Sequence, residues 1–314
     1  MRGAYTYRMN DTLSFSFPAL SSEQDVRAPH AFLTTITAGK MRFRWDETNP
    51  LRDAYFARVL PEGKTPVPLE LIHSRTVFCI ESGARDALKA DLNLNGSCGI
   101  ESGARDALKA DLKLNGSCGI ESEAQSAVES GRATPVFSLP DGSRVKADGA
   151  QADGLIATDR CFVPVITVAD CMPLWLYDPE TGVFGVLHSG WKGTGIAGEA
   201  VRFAAKKFSA RPENIRVIIG PHIEPCCYRV DNERADWFIR EFGEACVSDR
   251  TEEGSRLSLT EANKTVLSRA GVLPEHILIT GGCTSCFEEN GEHPYASFRR
   301  QGPEKFAPMA AYIY

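Results

Sequence analysis

Between residues 154 and 220 the chain runs through short apolar stretches, each cut off by turn-forming residues. GLIAT (154–158), PVITVA (164–169), PLWLY (173–177), VFGVLH (183–188) and IRVIIG (215–220) predict five buried strands. Between the last two the period changes. In IAGEAVRFAAKKF (196–208), Ile196, Ala200, Phe203, Ala204 and Phe208 fall on one face of a helix. FLTTITA (32–38) and PLELIH (68–73) predict two earlier strands around a helix at 50–59. Further helices are predicted over 231–242 and 260–270, the latter with Leu259 before a Thr260 cap and Gly271 as its stop. No Pro/Gly/Ser-rich linker interrupts the alternation. The pattern predicts one α/β domain over 1–314, with an insertion at 80–150.

The insertion is predicted from a repeat. ESGARDALKADLNLNGSCGI (81–100) returns at 101–120 with Lys113 for Asn93 as the only change, and ESEAQSAV (121–128) starts a degenerate third copy. Within a unit, Ala84, Ala87, Leu88 and Leu92 are spaced as on a helix and Gly96 supplies a stop. Each unit reads as a short amphipathic helix and a turn. Two full units are too few for a solenoid, so the repeat reads as a recent duplication in a surface insertion. Cys98 and Cys118 recur with the unit and form no site by themselves.

Charge narrows the range of partners. The formal net charge is −6, from 41 acidic and 35 basic residues, with no long run of one sign. A general nucleic-acid binder would carry a basic face, so that class is excluded, whereas one local basic pocket would still take a small anion. The first residues, MRGAYTYRMNDTLSF, contain no apolar signal core, and no stretch approaches the ~20 apolar residues of a membrane span. A cytoplasmic location without a membrane partner is expected. In that compartment the 10 cysteines are expected to be reduced thiols, available as ligands or nucleophiles. The oligomeric state is left open.

Three residues then stand out at the ends of apolar runs: His73, Cys171 and His188. Two imidazoles and one thiolate suffice for a catalytic zinc site that keeps a position for water; satisfied polar residues at strand ends are the alternative. After His188, a turn with Gly190, Gly193 and Gly195 around Lys192 leads from strand to helix. Bare N–H groups at a helix start, with an ammonium, make an anion site. A tight strand-to-helix turn would require the same glycines.

ADCMPLWL, VLHSGWKGTG, IGPHIEPCCYRV and SFRRQG occur in the order and style of the laccase-domain family, also called the multicopper polyphenol oxidase or YfiH-like family. The chain resembles that family from about 152 to 300, and back through His73. The resemblance implies a single-domain α/β fold of mixed β-sheets flanked by helices. It also implies zinc, with copper possible in its place, at His73, Cys171 and His188. The activities implied are purine nucleoside phosphorylase, with adenosine, inosine and methylthioadenosine, and adenosine deaminase, so a nucleoside and phosphate are the expected partners. The chain departs from the pattern at Leu71-Ile72-His73, where Gln-Val-His is more usual, and at Lys192, where Arg is more usual. A Gly-Arg that usually follows the arginine pair is missing. Laccase activity fails on ligand count: multicopper oxidases need many histidines, several as His-x-His pairs, and this chain has 6 and no such pair.

In a phosphorylase of this kind, the turn with Gly190, Lys192, Gly193 and Thr194 is the candidate phosphate cradle, with Arg299 or Arg300 as a second charge. Surface ion pairs are the alternative for the arginines. In a deaminase, Cys171 and His188 form the metal centre and Asp170 is the candidate proton shuttle, or else a turn-forming or helix-capping residue. Without a metal, Cys171 and His188 would be nucleophile and base of an amide hydrolase or deamidase. A non-catalytic metal-binding protein is a third reading. Cys226 and Cys227, being adjacent, read as packed thiols near the site rim, and His222 as a solvent-facing turn histidine. CTSC (283–286) has zinc or redox spacing but no second pair to complete it.

Overall fold

Among the described residues, two large sheets and one small one account for the strands. The first sheet runs β1 (Tyr7–Met9), β2 (Thr12–Ser16), β3 (His30–Thr34), β17 (Met309–Ile313), β9 (Phe162–Val168) and β4 (Thr65–Pro68). The second runs β16 (Ile277–Ile279), β12 (Arg216–Ile219), β10 (Met172–Tyr177), β11 (Phe184–Ser189), β8 (Gly154–Ala157), β5 (Val77–Ser82), β6 (Pro135–Ser138) and β7 (Arg144–Lys146). A small sheet joins β13 (Arg229–Val230), β15 (Gly254–Leu257) and β14 (Val247–Thr251). These belong to a computed structural model that describes residues 7–9, 11–18, 27–82, 135–146 and 149–314. The chain divides into two compact units, Met1–Glu81 with Phe137–Tyr314, and Ser82–Val136. The predicted repeat helices, from Ala84 to Gly96 and their second copy, lie outside the described residues, as do Cys98 and Cys118.

Strand β10 shows how the first unit is layered. All six of its residues are buried, because successive side chains point to opposite faces and both faces are covered. Met172, Leu174 and Leu176 pack with Ile196, Ala200, Phe203 and Ala204 of α2 (Ile196–Phe208). On the other face, the Trp175 ring lies 5.5 Å from that of Phe15, and its Nε1 donates to the carbonyl of Tyr312 at 3.0 Å. Those two partners belong to the first sheet. A buried indole thus gains a partner for its polar tip while joining the two sheets. Pairing is antiparallel from β12 through β10 and β11 to β8, and parallel where β16 joins β12 and β5 joins β8.

Helix prediction holds closely. Helices α1 (Pro50–Val59), α2, α3 (Asn232–Phe242) and α4 (Leu259–Arg269) stand where the sequence placed them, and a short α5 (Phe298–Gln301) follows. The cap of α4 differs from expectation. Ser258 accepts the Glu261 N–H at 3.1 Å, whereas Thr260 lies in the first turn with its hydroxyl on His222. Two strand predictions are also corrected. β3 stops at Thr34, and Ile36–Ala38 forms a 3-10 turn. The strand predicted over 68–73 lies earlier, at Thr65–Pro68, and His73 sits on a loop with φ 58°. The backbone N–H groups of His73 and Ser74 donate to the Asp153 carboxylate, so they are spent on a side chain instead of a strand ladder. No helix among the described residues is long and apolar enough to cross a membrane.

Candidate active site

The loop carrying His73, the β9–β10 turn and the end of β11 meet at one place. Cys171 lies in that turn and His188 in β11, opposite Pro173. The ligand atoms of His73, Cys171 and His188 all lie within 4.8 Å of one another, with the two imidazole rings 4.9 Å apart and nearly perpendicular.

Asp153, fully buried just before β8, gathers them. Its Oδ1 accepts the His73 N–H at 2.9 Å and lies 3.0 Å from His188 Nδ1. Its Oδ2 accepts from the Ser74 N–H at 2.6 Å and the Ser74 hydroxyl at 2.8 Å. With Nδ1–H held by the carboxylate, His188 turns its Nε2 toward Cys171, as metal-binding histidines are oriented. Burial opposes charge at Cys171, yet the charge of His188 and hydrogen bonds from both histidines bring its thiol down to about 6. Burial likewise opposes the His188 cation, but the Cys171 thiolate and the Asp153 hydrogen bond raise it to about 10. With no metal between them, the two groups favour a thiolate–imidazolium pair.

The site opens into a cavity of about 540 Å³, lined by these three residues and by Asp170, Gly190 and Arg299. Phe43, Trp191, Tyr228, Phe298 and Phe306 give it aromatic surface, and Arg42, Arg44 and Arg234 add positive charge. The Arg234 guanidinium lies 4.4 Å from the centre of the Trp191 ring, and that of Arg299 lies 5.6 Å from the Tyr228 ring. Arg44 is engaged by Glu70 at 3.0 Å. The volume falls in the range of small-molecule sites.

Of the two readings of the glycine-rich turn, its packing matches the tight turn that requires glycine. A Cβ on Gly190 would stand 2.8 Å from Cys171 Sγ, so glycine is needed there to admit the sulfur. A Cβ on Gly193 would stand 2.8 Å from the Ser74 carbonyl, and one on Gly195 2.7 Å from the Arg75 guanidinium. The turn is packed against the loop that carries His73. Thr194 is buried and donates to the Gly190 carbonyl at 2.9 Å. Lys192 is exposed, with Nζ 5.3 Å from the Trp191 ring centre. Of the residues expected to cradle phosphate, Gly190 lines the cavity and Lys192, Gly193 and Thr194 do not.

Asp170 adopts φ 79°, and both its oxygens are in use. One accepts from the Thr284 hydroxyl at 2.7 Å and the other from the Arg299 N–H, at the start of α5, at 2.6 Å. Of the two readings of Asp170, this geometry is that of the turn and helix end, not of a free shuttle. Arg300 also departs from expectation. Its guanidinium donates to the carbonyls of Thr284 at 2.7 Å and Ser285 at 2.9 Å, and to that of Tyr295, outside the cavity. Arg299 does line the cavity while donating to the Cys227 carbonyl at 3.1 Å. His222 is fully buried, not solvent-facing, with its ring nitrogens on the Gly220 carbonyl and the Thr260 hydroxyl. Sequence reasoning missed Asp153, Arg42, Arg44 and Arg234. The one signal for Asp153 was an acid set directly against the apolar GLIA run.

Residues 71–314 match the family described as multi-copper polyphenol oxidoreductase laccase. Purine nucleoside phosphorylase YlmD of Geobacillus stearothermophilus is 38% identical over 141 residues, covering 43% of this chain and 52% of that protein. Adenosine deaminase RL5, from an unknown prokaryotic organism, is 30% identical over 155 residues, covering 48% of this chain and 57% of the other. The chain spans about half the length of the curated relatives it matches. The crystal structure of Bacillus licheniformis hypothetical protein YfiH has the same fold, with a TM-score of 0.67, 20% identity and 98% of both chains covered.

Proposed function

The chain belongs to the multi-copper polyphenol oxidoreductase laccase family, and we propose that it is a zinc-dependent purine nucleoside phosphorylase with adenosine deaminase activity, not a laccase. The observation that carries this reading is the convergence of His73, Cys171 and His188 on an aromatic, arginine-lined cavity. Two imidazoles and a thiolate of depressed pKa suit zinc, or copper in its place. Zinc held there would supply Lewis acidity and a lowered pKa for water. Adenosine, inosine and methylthioadenosine are the proposed nucleosides. We assign catalysis to the first compact unit and narrow the insertion expected over 80–150 to the second unit, Ser82–Val136.

The chain's own residues divide the rest of the work. The aromatic side chains offer flat surfaces for a purine. Arg234 and Arg299 present guanidiniums that pair with phosphate oxygens in charge-assisted hydrogen bonds. Asp170 fixes the start of α5 and so positions Arg299. In phosphorolysis a phosphate oxygen bonds to the sugar C1′ as the C1′–N9 bond breaks, and the purine leaves with the electron pair and takes up a proton. Positive charge beside the nucleophile and an oriented base are what that displacement requires.

Chromatography of adenosine incubations tests this directly. Adenine is expected only when phosphate is present, and some inosine is expected in either case. Adenine released without phosphate would make the enzyme a hydrolase. Arg299→Ala is expected to raise the phosphate KM about 10- to 100-fold, in line with the ~1.5–3 kcal/mol of a charged hydrogen bond. Lys192→Ala should leave that constant within about twofold. Equal effects of the two changes would return the phosphate to the glycine turn.

The thiolate–imidazolium pair favours one second reading, a metal-free cysteine nucleophile with a histidine base. In chelator-treated protein, Cys171 alkylation should rise with pH around a midpoint of about 6, because the thiolate is the reacting species. Restored zinc should suppress it. Amide hydrolysis by the metal-free form, with no nucleoside turnover by the loaded form, would establish the second reading. A midpoint near 9, the ordinary thiol value, would remove it.

A further inference from the structure

Beyond the ends of the parallel strands β12 and β16, the chain makes two turns side by side. A bridge between His222 and Cys283 continues the pairing, and the Thr284 N–H donates to the His222 carbonyl at 3.0 Å. One turn carries Cys226 and Cys227 and the other Cys283 and Cys286. The four sulfurs lie within 4.8 Å of one another, Cys226 and Cys286 being 3.5 Å apart. Tetrahedral thiolates at about 2.3 Å from a zinc ion are separated from one another by about 3.8 Å. Small side-chain adjustments would therefore bring all four onto one ion.

Cys226 and Cys227 would be poor co-ligands on a strand, where neighbouring side chains diverge. They are not on a strand. The N–H groups of Cys227 and Tyr228 both donate to the Glu224 carbonyl at 2.9 Å, and a turn imposes no such alternation. The pair that CTSC lacked is supplied by tertiary structure.

We propose that Cys226, Cys227, Cys283 and Cys286 hold a structural zinc ion, separate from the metal proposed at His73, Cys171 and His188. Four cysteines close the coordination shell and leave no position for substrate. On loading, each thiol releases its proton to solvent, and the centre carries a net charge of −2. The surroundings match that charge. Arg256 donates to the carbonyls of Pro225, at 2.9 Å, and Cys226, Arg299 to that of Cys227, and Arg300 to those of Thr284 and Ser285. Three guanidiniums are thus gathered on the backbone of the two turns. The Glu224 N–H adds a hydrogen bond to Cys283 Sγ at 3.4 Å, of the kind that tunes metal-bound sulfur. The ion would lock the turns against which Arg299 is braced.

The test uses the full chain purified without added metal. Elemental analysis should show one zinc fewer per chain in Cys283→Ser/Cys286→Ser than in the wild type, and Cys171→Ala should retain that ion. A second measurement needs no variant. Cys226 and Cys286 are exposed, as is Cys161, yet the first two should resist iodoacetamide until a zinc chelator is added, while Cys161 reacts at once. Zinc content unchanged in a folded double variant would overturn the proposal. So would alkylation of Cys226 and Cys286 as fast as that of Cys161, iron in place of zinc, or protection that yields to a reductant and not to a chelator, which would mean a disulfide.

Discussion

Cys171→Ala is expected to yield a folded protein that holds no zinc at its cavity and performs neither phosphorolysis nor deamination. The side chain is only partly buried, and its sulfur faces Gly190 and the two histidines. Its loss opens no large hole in the core, so circular dichroism and the melting temperature should stay close to those of the wild type. If the proposed metal is held by His73, Cys171 and His188, the effect on chemistry should be complete, because a catalytic metal with three protein ligands has no spare one. Turnover of adenosine, with and without phosphate, is the readout. Loss of only one reaction would show that the two do not share the metal. Unchanged metal at the cavity would remove Cys171 from the ligand set.

Asp153→Asn should have the next largest effect: a 10- to 100-fold loss in metal affinity or turnover, about the size seen when the orienting partner of a ligand is removed. The carboxylate takes four donors, two on each oxygen. An asparagine amide has one oxygen, so its NH2 must face either the Ser74 pair or the His73 and His188 pair. Donor then faces donor in a buried place, at a cost of about 1–3 kcal/mol. Burial alone would raise the Asp153 carboxyl, but the hydrogen bond and charge of His188, with the Ser74 donors, hold it below its ordinary value. The stability it contributes is therefore present above the ordinary carboxylate pKa and is lost as the pH falls through the lower, folded one. The variant should lack that part of the acid dependence. Thermal melts across pH, with zinc titration, measure both effects; wild-type behaviour in both would make the carboxylate a bystander.

Much of this fold was legible because buried strands and amphipathic helices leave a local record. β8 to β12 and α2 each followed from a few consecutive residues. What failed depended on partners remote in sequence. His73 reads as the end of a strand until Asp153, 80 residues later, is seen to claim its N–H. Gly193 and Gly195 fit either an anion cradle or a tight turn until Ser74 and Arg75 are seen where their Cβ atoms would stand. The three residues that converge at the cavity, His73, Cys171 and His188, were legible from residue type and position, since few other side chains offer nitrogen and sulfur at the ends of apolar runs. Of the cavity arginines Arg299 was legible, but Arg42, Arg44 and Arg234 were not, because a surface arginine and a cavity arginine have the same local sequence signature. That the four cysteines meet was not legible either, because tertiary structure alone brings Cys226 and Cys227 beside Cys283 and Cys286.

Strand β17 carries a consequence for how the molecule reaches its native state. It lies between β3 and β9 in the first sheet, and the Ala310 N–H donates to the Thr34 hydroxyl across 276 residues of chain. The middle of the second sheet is local by comparison: β10 and β11 form a hairpin, and β12 joins them from residues 216–219. Contacts distant in sequence carry a larger closure entropy and form more slowly. Folding is therefore expected to begin on the hairpin side, with the first sheet completed late, when β17 slots between β3 and β9. Until then β3 and β9 each present an unpaired edge, the kind of surface on which partly folded chains associate.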